Sequence, residues 1–194
     1  FELAEQYFEE TKAACDQLGD KKGLATSLGL LGASHEKQSE YEEALNDQRK
    51  SLTLFKELED DLGTAMTNEN IGSIYEDLEQ FDLAYDYFSR AYDHLKGTGT
   101  EAEANVLNNL GDIFRKRGEY PSALEKTTLA LELAIQINDL HQMESAYKDL
   151  SKAYALMGNF EQAHAHLLLA EQYNSDMLTS QNSDQLNVLQ TIYE

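Results

Sequence analysis

Apolar residues recur at steps of three and four over most of the chain, which is the period of an α-helix. Leu24, Leu28, Leu31 and His35, for example, follow one another at steps of four, three and four. No segment alternates apolar and polar residues as a half-buried strand does. The pattern predicts nine helices, near residues 1–18, 22–37, 41–58, 62–77, 81–96, 101–116, 120–137, 141–156 and 160–178, and the start of another near residue 183.

The predicted helices form pairs that repeat along the chain. Aromatic residues stand 40, 39 and 40 residues apart, at Tyr41, Phe81, Tyr120 and Phe160. Two columns of small residues keep the same steps, at Ala44, Ala84, Ala123 and Ala163 and at Ser51, Ala91, Ala130 and Ala170. One helix pair is too small to bury its own apolar face, so neighbouring pairs must stack into a continuous core. We predict an all-α, right-handed α-solenoid of antiparallel helix pairs, with the aromatic column in its core.

The small residues predict where helices approach each other closely. Gly32, Gly72 and Gly111 occupy one column of the first helix in three pairs. We expect the paired helices to cross at these glycines, and the alanine column to accept the partner helix. Pro121 falls in the first turn of a predicted helix, where its missing N–H costs nothing.

These columns resemble the tetratricopeptide repeat. That family has Leu-Gly, an aromatic residue three positions later, then Tyr, and Ala three and ten positions after the Tyr. Two positions depart from it, because His35 replaces an aromatic residue and Ser151 replaces a glycine. The resemblance covers about residues 1–175. It implies a repeat array over 1–178, comprising a half repeat 1–18 and repeats 22–58, 62–96, 101–137 and 141–178, with 183–194 as the start of a C-terminal capping or linker helix.

The repeat is longer than the usual length of about 34 residues, and this variant resembles repeats of cell-polarity adaptors, kinesin light chains and bacterial signalling proteins. The segment from Tyr147 to Phe160 is similar to the end of repeat arrays in bacterial sensor proteins, which run into a histidine kinase or nucleotide cyclase. The resemblance implies the sensory or scaffolding part of a larger protein. The chain begins and ends inside amphipathic patterns, so we expect it to be a piece of that protein.

Charge and composition exclude several functions. The chain has 36 acidic and 15 basic residues, a formal net charge of -21. Such a charge argues against binding to nucleic acid or to an anionic membrane surface. No apolar run approaches the roughly 20 residues of a membrane span. A single cysteine, Cys15, cannot form an internal disulfide, so the compartment, cytoplasmic or periplasmic, stays open.

No group of residues predicts an active site, a metal site or a cofactor. The loop at residues 97–100 is glycine-rich but lacks the strand and the lysine of a phosphate-binding loop. His164 and His166 are two positions apart and point away from each other on a helix, so we expect both at the surface. His35 is expected to be packed and hydrogen-bonded, and Cys15 to be a small apolar filler. We therefore predict a protein that is not an enzyme.

The first helix of each pair is expected to line a concave face, and two features there indicate binding. Asn70 and Asn109 each precede the Ile/Leu-Gly pair. A carboxamide offers a donor and an acceptor, so it can bracket a peptide unit of a ligand, as asparagines at this place do in the arrays that the chain resembles. The alternative is a surface asparagine that is bonded locally.

The second feature is a set of cations, Arg115, Lys116, Lys148 and Lys152, at inner positions of the third and fourth repeats. They could attract an acidic ligand, or they could be neutralised within the chain by Asp112 and Asp149. The predicted peptide-binding residues are Glu69, Asn70, Asn105, Asn108, Asn109, Arg115, Lys116, Lys148 and Lys152.

The sequence thus predicts a protein-interaction module that binds a peptide or a partner helix in a concave groove. The alternative function is a structural spacer, which would self-associate as a homodimer, for an attached output domain.

Overall fold

A computed structural model of the chain describes the backbone of residues 2–193 and the side chains of residues 6–179. The described backbone forms nine helices and no strand. They are α1 (Glu2–Leu18), α2 (Lys21–Lys37), α3 (Tyr41–Glu57), α4 (Asp61–Asp77), α5 (Phe81–Leu95), α6 (Glu101–Lys116), α7 (Tyr120–Ile137), α8 (Leu140–Leu156) and α9 (Phe160–Tyr193). The predicted all-α repeat fold is confirmed.

The chain divides into two compact units, Phe1–Thr98 and Gly99–Glu194. In the first unit α2 packs on α3, α4 packs on α5, and α3 joins the two pairs by contacting α4. In the second unit α6 packs on α7 and α8 packs on α9, with α7 contacting α8. Within each unit, each helix therefore contacts its neighbours along the chain, as expected of a repeat protein.

The first helix of every pair begins with a side-chain cap. The carboxylates of Asp20, Asp60 and Asp139 accept hydrogen bonds from the backbone N–H groups of Gly23, Gly63 and Gln142, at 2.9, 2.9 and 3.0 Å. Thr100 takes the same place before α6. Such caps satisfy N–H groups that a helix start leaves without a partner. They form another repeating column, which the sequence analysis missed.

Left-handed residues make the turns within the helix pairs short. Ser39, Glu79, Gly118 and Gly158 have φ angles of 62°, 57°, 79° and 77°. In each turn the N–H group of the following residue donates a hydrogen bond to a carbonyl of the preceding helix. One example is the bond of 2.8 Å from the Gln80 N–H to the Tyr75 carbonyl. This is the closure of a helix C-terminus by a left-handed residue.

The glycine column marks close crossings, as predicted. A Cβ atom added at Gly32 would lie 2.8 Å from the Gln48 side chain, and one at Gly72 would lie 2.7 Å from the Phe88 ring. In the fourth repeat Ser151 fills this place, and its hydroxyl donates to the Ala163 carbonyl at 2.7 Å. Leu167, the counterpart of Phe88, is 41% exposed there.

Both columns of small residues are buried, since each member is at most 7% exposed. The aromatic column differs from its prediction as core. Tyr41, Phe81 and Tyr120 are only half-buried, and Phe160 is 72% exposed. These residues begin the second helices, so they lie at the end of each pair rather than in the middle of its contact.

The C-terminal region also differs from the prediction. The sequence indicated a helix ending near residue 178 and another beginning near 183, whereas α9 is one helix of 34 residues. The segment 179–183 contains neither glycine nor proline, so nothing there stops the helix. The side chains of the predicted capping or linker segment, 183–194, lie outside the described side chains.

Candidate functional site

The first unit contains an open cleft between α2 and α4, with a volume of about 430 Å³. It will be called the α2–α4 cleft. Its lining residues are Lys22, Thr26, Gly29, Leu30, Ala33, Phe55, Asp60, Leu62, Gly63, Met66, Thr67 and Asn70.

The walls of the α2–α4 cleft are apolar and face solvent. Leu30, Leu62 and Met66 are 46%, 55% and 52% exposed. Small residues of α2, Gly29 and Ala33, line the cleft beside them. Three large apolar side chains around an open cleft favour binding of an apolar group, because single exposed apolar residues are normal but a cluster in a concavity indicates interaction.

Asn70 lies in this cleft and is held by a buried glutamine. The Nδ2 atom of Asn70 donates to the Oε1 atom of Gln48 over 3.5 Å. The amide of Gln48 in turn donates to the Gly29 carbonyl at 2.9 Å, and Gln48 is fully buried on α3. Gln48 thereby ties α3 to both walls and orients Asn70. Its neighbour in the predicted set, Glu69, is half-buried on α4.

One end of the cleft is closed by an ion pair. The Nζ atom of Lys22 lies 2.7 Å from the carboxylate of Asp60, the N-cap of α4. The hydrogen bond from Lys22 and the bond from the Gly63 N–H hold the pKa of Asp60 below its ordinary value. The charges at this end are therefore already paired.

Acidic groups lie beyond the other end. Glu36 follows Ala33 by one helical turn, and Ser73 follows Asn70 by one turn. A hydrogen bond joins the Glu36 carboxylate to Ser73. Burial raises the pKa of Glu36, the Ser73 bond lowers it, nearby Asp77 raises it again, and Lys37 lowers it. The net result is a raised pKa, because burial and Asp77 together have a larger effect than Ser73 and Lys37.

The other seven predicted site residues belong to the second unit, where α6 and α8 exchange side-chain hydrogen bonds. Asn108 donates to the Asp149 carboxylate at 2.9 Å and is 9% exposed. Asn105 accepts a hydrogen bond from the Gln142 amide. Asn109 is half-buried on α6. Asn108 and Asn105 therefore link α6 to α8 by hydrogen bonds.

The four predicted cations each lie beside an acid of their own helix. The carboxylate of Asp112 pairs with Arg115 and lies 3.2 Å from Lys116. Further along, Lys152 is 2.8 Å from Asp149, and Lys148 pairs with Glu144. Internal neutralisation, the alternative that the sequence left open, is what the structure shows. Acids three or four positions before each cation were the signal for it.

An aromatic stack between α8 and α9 was missed by the sequence analysis. The ring of His166 stacks on Tyr154 and Tyr147, with centroids 5.3 and 5.8 Å apart, and Tyr147 stacks on Tyr173 at 5.6 Å. The prediction of His166 as a surface residue is therefore wrong, while His164 is exposed. Burial lowers the pKa of His166. The pKa of Tyr147 is raised, mainly by burial and to a smaller extent by the charge of Tyr173.

The remaining sequence candidates, His35 and Cys15, are both half-buried. His35 lies 3.2 Å from the Asp47 carboxylate and is half-buried, as expected. Cys15 is a free, half-buried thiol. Within residues 6–179 no three His, Cys, Asp or Glu side chains converge as metal ligands would. Among the described helices, none combines the length and the apolar character needed to cross a membrane.

Solved structures share this fold. BtubC (BKLC) from P. vanneervenii superposes with a TM-score of 0.79 at 22% identity, over 91% of this chain and 74% of that one. Aspartyl phosphate phosphatase F from Bacillus subtilis gives 0.80 at 17% identity, over 89% of this chain and 45% of that one. At these identities the likeness concerns the fold alone.

Sequence comparison gives the family. The cell division cycle protein 16 homologs of Homo sapiens and Mus musculus are each 33% identical over 88 residues, which is 43% of this chain and only 13% of theirs. A family model of the tetratricopeptide repeat matches residues 1–57, 63–136 and 104–172. Since these matches cover most of the chain, it belongs to the tetratricopeptide repeat family.

Proposed function

We propose that this chain is a non-enzymatic protein-interaction module and that the α2–α4 cleft binds a peptide segment or a partner helix. The observation that carries the proposal is the open apolar cleft with a fixed carboxamide, Asn70, on its wall. The family is generally an interaction scaffold rather than a catalyst, which agrees with this function.

The two kinds of cleft residue would act together. A leucine-sized side chain that enters between Leu30, Leu62 and Met66 would contribute roughly 1.5–3 kcal/mol by apolar burial. The carboxamide of Asn70 would hydrogen-bond the ligand backbone at a net value of about 0.5–1.5 kcal/mol. Apolar burial would thus supply most of the affinity, and Asn70 would fix the register of the ligand. Asn109 has the matching position in the second unit.

An acidic ligand on the second unit stays a prediction with less support. Such a ligand would have to compete with the carboxylates of Asp112, Glu144 and Asp149 for their cations. Exchange of one ion pair for another yields little net free energy. The first unit is therefore the better place for the primary contact.

A spacer function is the second candidate, and α9 favours it. This helix has 34 residues, whereas each other helix has at most 18. Leu168 and Leu178 on it are 51% and 54% exposed. A long helix with exposed leucines would suit self-association, or a rigid link to an output domain of a larger bacterial signalling protein.

Two cleft variants test the binding function. Ligands selected from a displayed random-peptide library would be titrated against Asn70→Ala and Met66→Gln. We expect each variant to weaken binding several-fold, because one loses an amide contact and the other places an amide in an apolar wall. Leu83→Gln is the matched control, since Leu83 is 41% exposed on α5 and does not line the cleft. Wild-type affinity in both cleft variants would move the site elsewhere and favour the spacer.

A further inference from the structure

Helix α4 lines the cleft with apolar and neutral polar side chains, and its acidic residues lie around this lining. Helix α4 contains four acidic residues and no basic one. From Glu57 to Ser89 the chain has ten acidic residues and no base. A ligand that lies along α4 therefore meets a field of one sign, which attracts a positively charged segment.

Acidic residues and helix C-termini meet where both walls end. Helices α2 and α4 finish at Lys37 and Asp77, and the acidic pair of Glu36 and Asp77 lies in these last turns. The negative ends of two helix dipoles add there to two carboxylates. A cation stabilises such a helix end, yet the last turn of α4 contains no base.

The pair of Glu36 and Asp77 also differs from the acids of the second unit. There Asp112, Glu144 and Asp149 each lie within salt-bridge distance of a lysine or arginine. Among the described residues no lysine or arginine lies that close to Glu36 or Asp77, and the nearest positive influence on Glu36 is Lys37. A ligand cation placed near the two carboxylates would therefore not have to displace a lysine or arginine from a salt bridge with them.

The two ends of the cleft are consequently unequal. At one end the charge of Asp60 is already paired with Lys22. Beyond the other end, Glu36 is hydrogen-bonded to Ser73 and interacts with the charge of Asp77. Only the end near Glu36 and Asp77 would attract a positively charged ligand residue. This difference would determine the direction in which the ligand lies along the cleft.

We propose that the occupant of the α2–α4 cleft is a basic amphipathic protein segment, with an apolar side chain between Leu62 and Met66 and a lysine or arginine at the acidic pair of Glu36 and Asp77. This inference rests on the proposed binding function and adds the chemical class and the direction of the ligand. It favours a basic partner over the acidic one that the second unit suggested from sequence.

Two short fluorescein-labelled peptides test this inference by fluorescence anisotropy on the whole chain. Both carry the same leucine positions, and their polar positions are all lysine in one and all glutamate in the other. We expect the lysine peptide to bind and the glutamate peptide to bind at least tenfold more weakly at about 50 mM NaCl. We expect this difference to shrink at about 500 mM NaCl, where the Debye length falls to a few ångströms.

The variant Glu36→Gln with Asp77→Asn should weaken binding of the lysine peptide about three- to tenfold at low salt, as expected for two partly exposed charges. The control, Glu42→Gln with Glu43→Gln, makes the same change of charge at exposed positions of α3. It should weaken binding less than twofold. Equal losses in the two double variants would mean general attraction to an acidic protein and would overturn the inference.

The same titration separates the inference from the proposed function. Met66→Gln leaves the charge unchanged and should weaken the lysine peptide, whereas Leu83→Gln should not. If Met66→Gln acts while the Glu36 and Asp77 variant binds as wild type, the cleft is a binding site and the basic ligand is wrong. If the lysine peptide binds all these variants equally, both the cleft and the inference fail. Equal binding of the lysine and glutamate peptides by the wild-type protein would also overturn the inference.

Discussion

At the scale of single residues, a non-glycine residue in the left-handed turn conformation lowers the stability of the fold. Glu79 has a φ angle of 57°, in the left-handed region where a Cβ atom is unfavourable, while the third and fourth repeats place Gly118 and Gly158 at the same point. A non-glycine residue there costs about 1–2 kcal/mol. Glycine also increases the entropy of the unfolded chain, which offsets part of the gain.

We predict that Glu79→Gly raises the free energy of unfolding by about 0.5–1 kcal/mol. Urea denaturation followed by circular dichroism measures this change. The matched control is Gly118→Ala, which should lose about 1 kcal/mol for the same reason. A loss of stability in Glu79→Gly would show that its carboxylate contributes more than the turn conformation costs.

The half-buried ring of His166 leads to a second prediction at the residue scale, which concerns pH. Its pKa in the folded state is lowered by burial between Tyr147 and Tyr154. The unfolded chain therefore binds the proton more readily, and stability is fully present above the ordinary histidine pKa of about 6.5. It should be lost as pH falls through the lower pKa of the folded state.

We expect thermal melting temperatures measured between about pH 7.5 and about pH 5 to fall more in the wild type than in His166→Phe, which keeps the stack and cannot take up a proton. His164→Phe is the control because His164 is exposed. Parallel pH profiles for the wild type and His166→Phe would show that the ring stays accessible to water.

At the scale of helices, the columns of small residues carry the fold, and they could be read from the sequence because one contact recurs in every repeat. Gly72 allows Phe88 to approach, and Ala84 is fully buried beside this crossing. Contacts that occur once could not be read in this way. Tyr147 and His166 come from different helices, so the stack depends on their packing and not on any spacing in the sequence.

We predict that Ala84→Leu destabilises the protein by about 1–3 kcal/mol, because three added carbon atoms overpack the contact between α4 and α5. Chemical denaturation measures the loss. Asp86→Leu places the same side chain at an exposed position of the same helix and should change stability little. Similar effects of the two leucines would contradict the assignment of the alanine column to the helix contact.

The candidate site could be predicted only in part from the helix pattern of the sequence. Asn70 was found because it repeats with Asn109, and the structure places it in a cleft. The cleft itself was not predicted, since it depends on how far α2 and α4 stand apart around Gly29 and Ala33. A binding role for the cations stays a prediction, and each cation has an acidic partner on its own helix, as Lys148 has Glu144.

At the scale of the whole molecule, charge acts on stability and on binding together. Several described ion pairs lie within one helix, such as Lys116 with Asp112, and they neutralise charge only locally. The formal net charge of -21 leaves most acidic residues in excess. A large excess of one sign destabilises a compact chain by self-repulsion, and the same excess favours basic partners.

We therefore predict that the melting temperature rises between about 10 and about 200 mM NaCl, because the Debye length shortens to below about 10 Å over this range and repulsion between surface carboxylates is screened. Differential scanning fluorimetry measures the slope. Glu42→Gln with Glu43→Gln removes two exposed acids and should flatten it. Screening would at the same time weaken binding of a basic peptide, so added salt should move stability and affinity in opposite directions. A flat or falling melting temperature in the wild type would mean that pairs such as Lys116 with Asp112 already offset the repulsion.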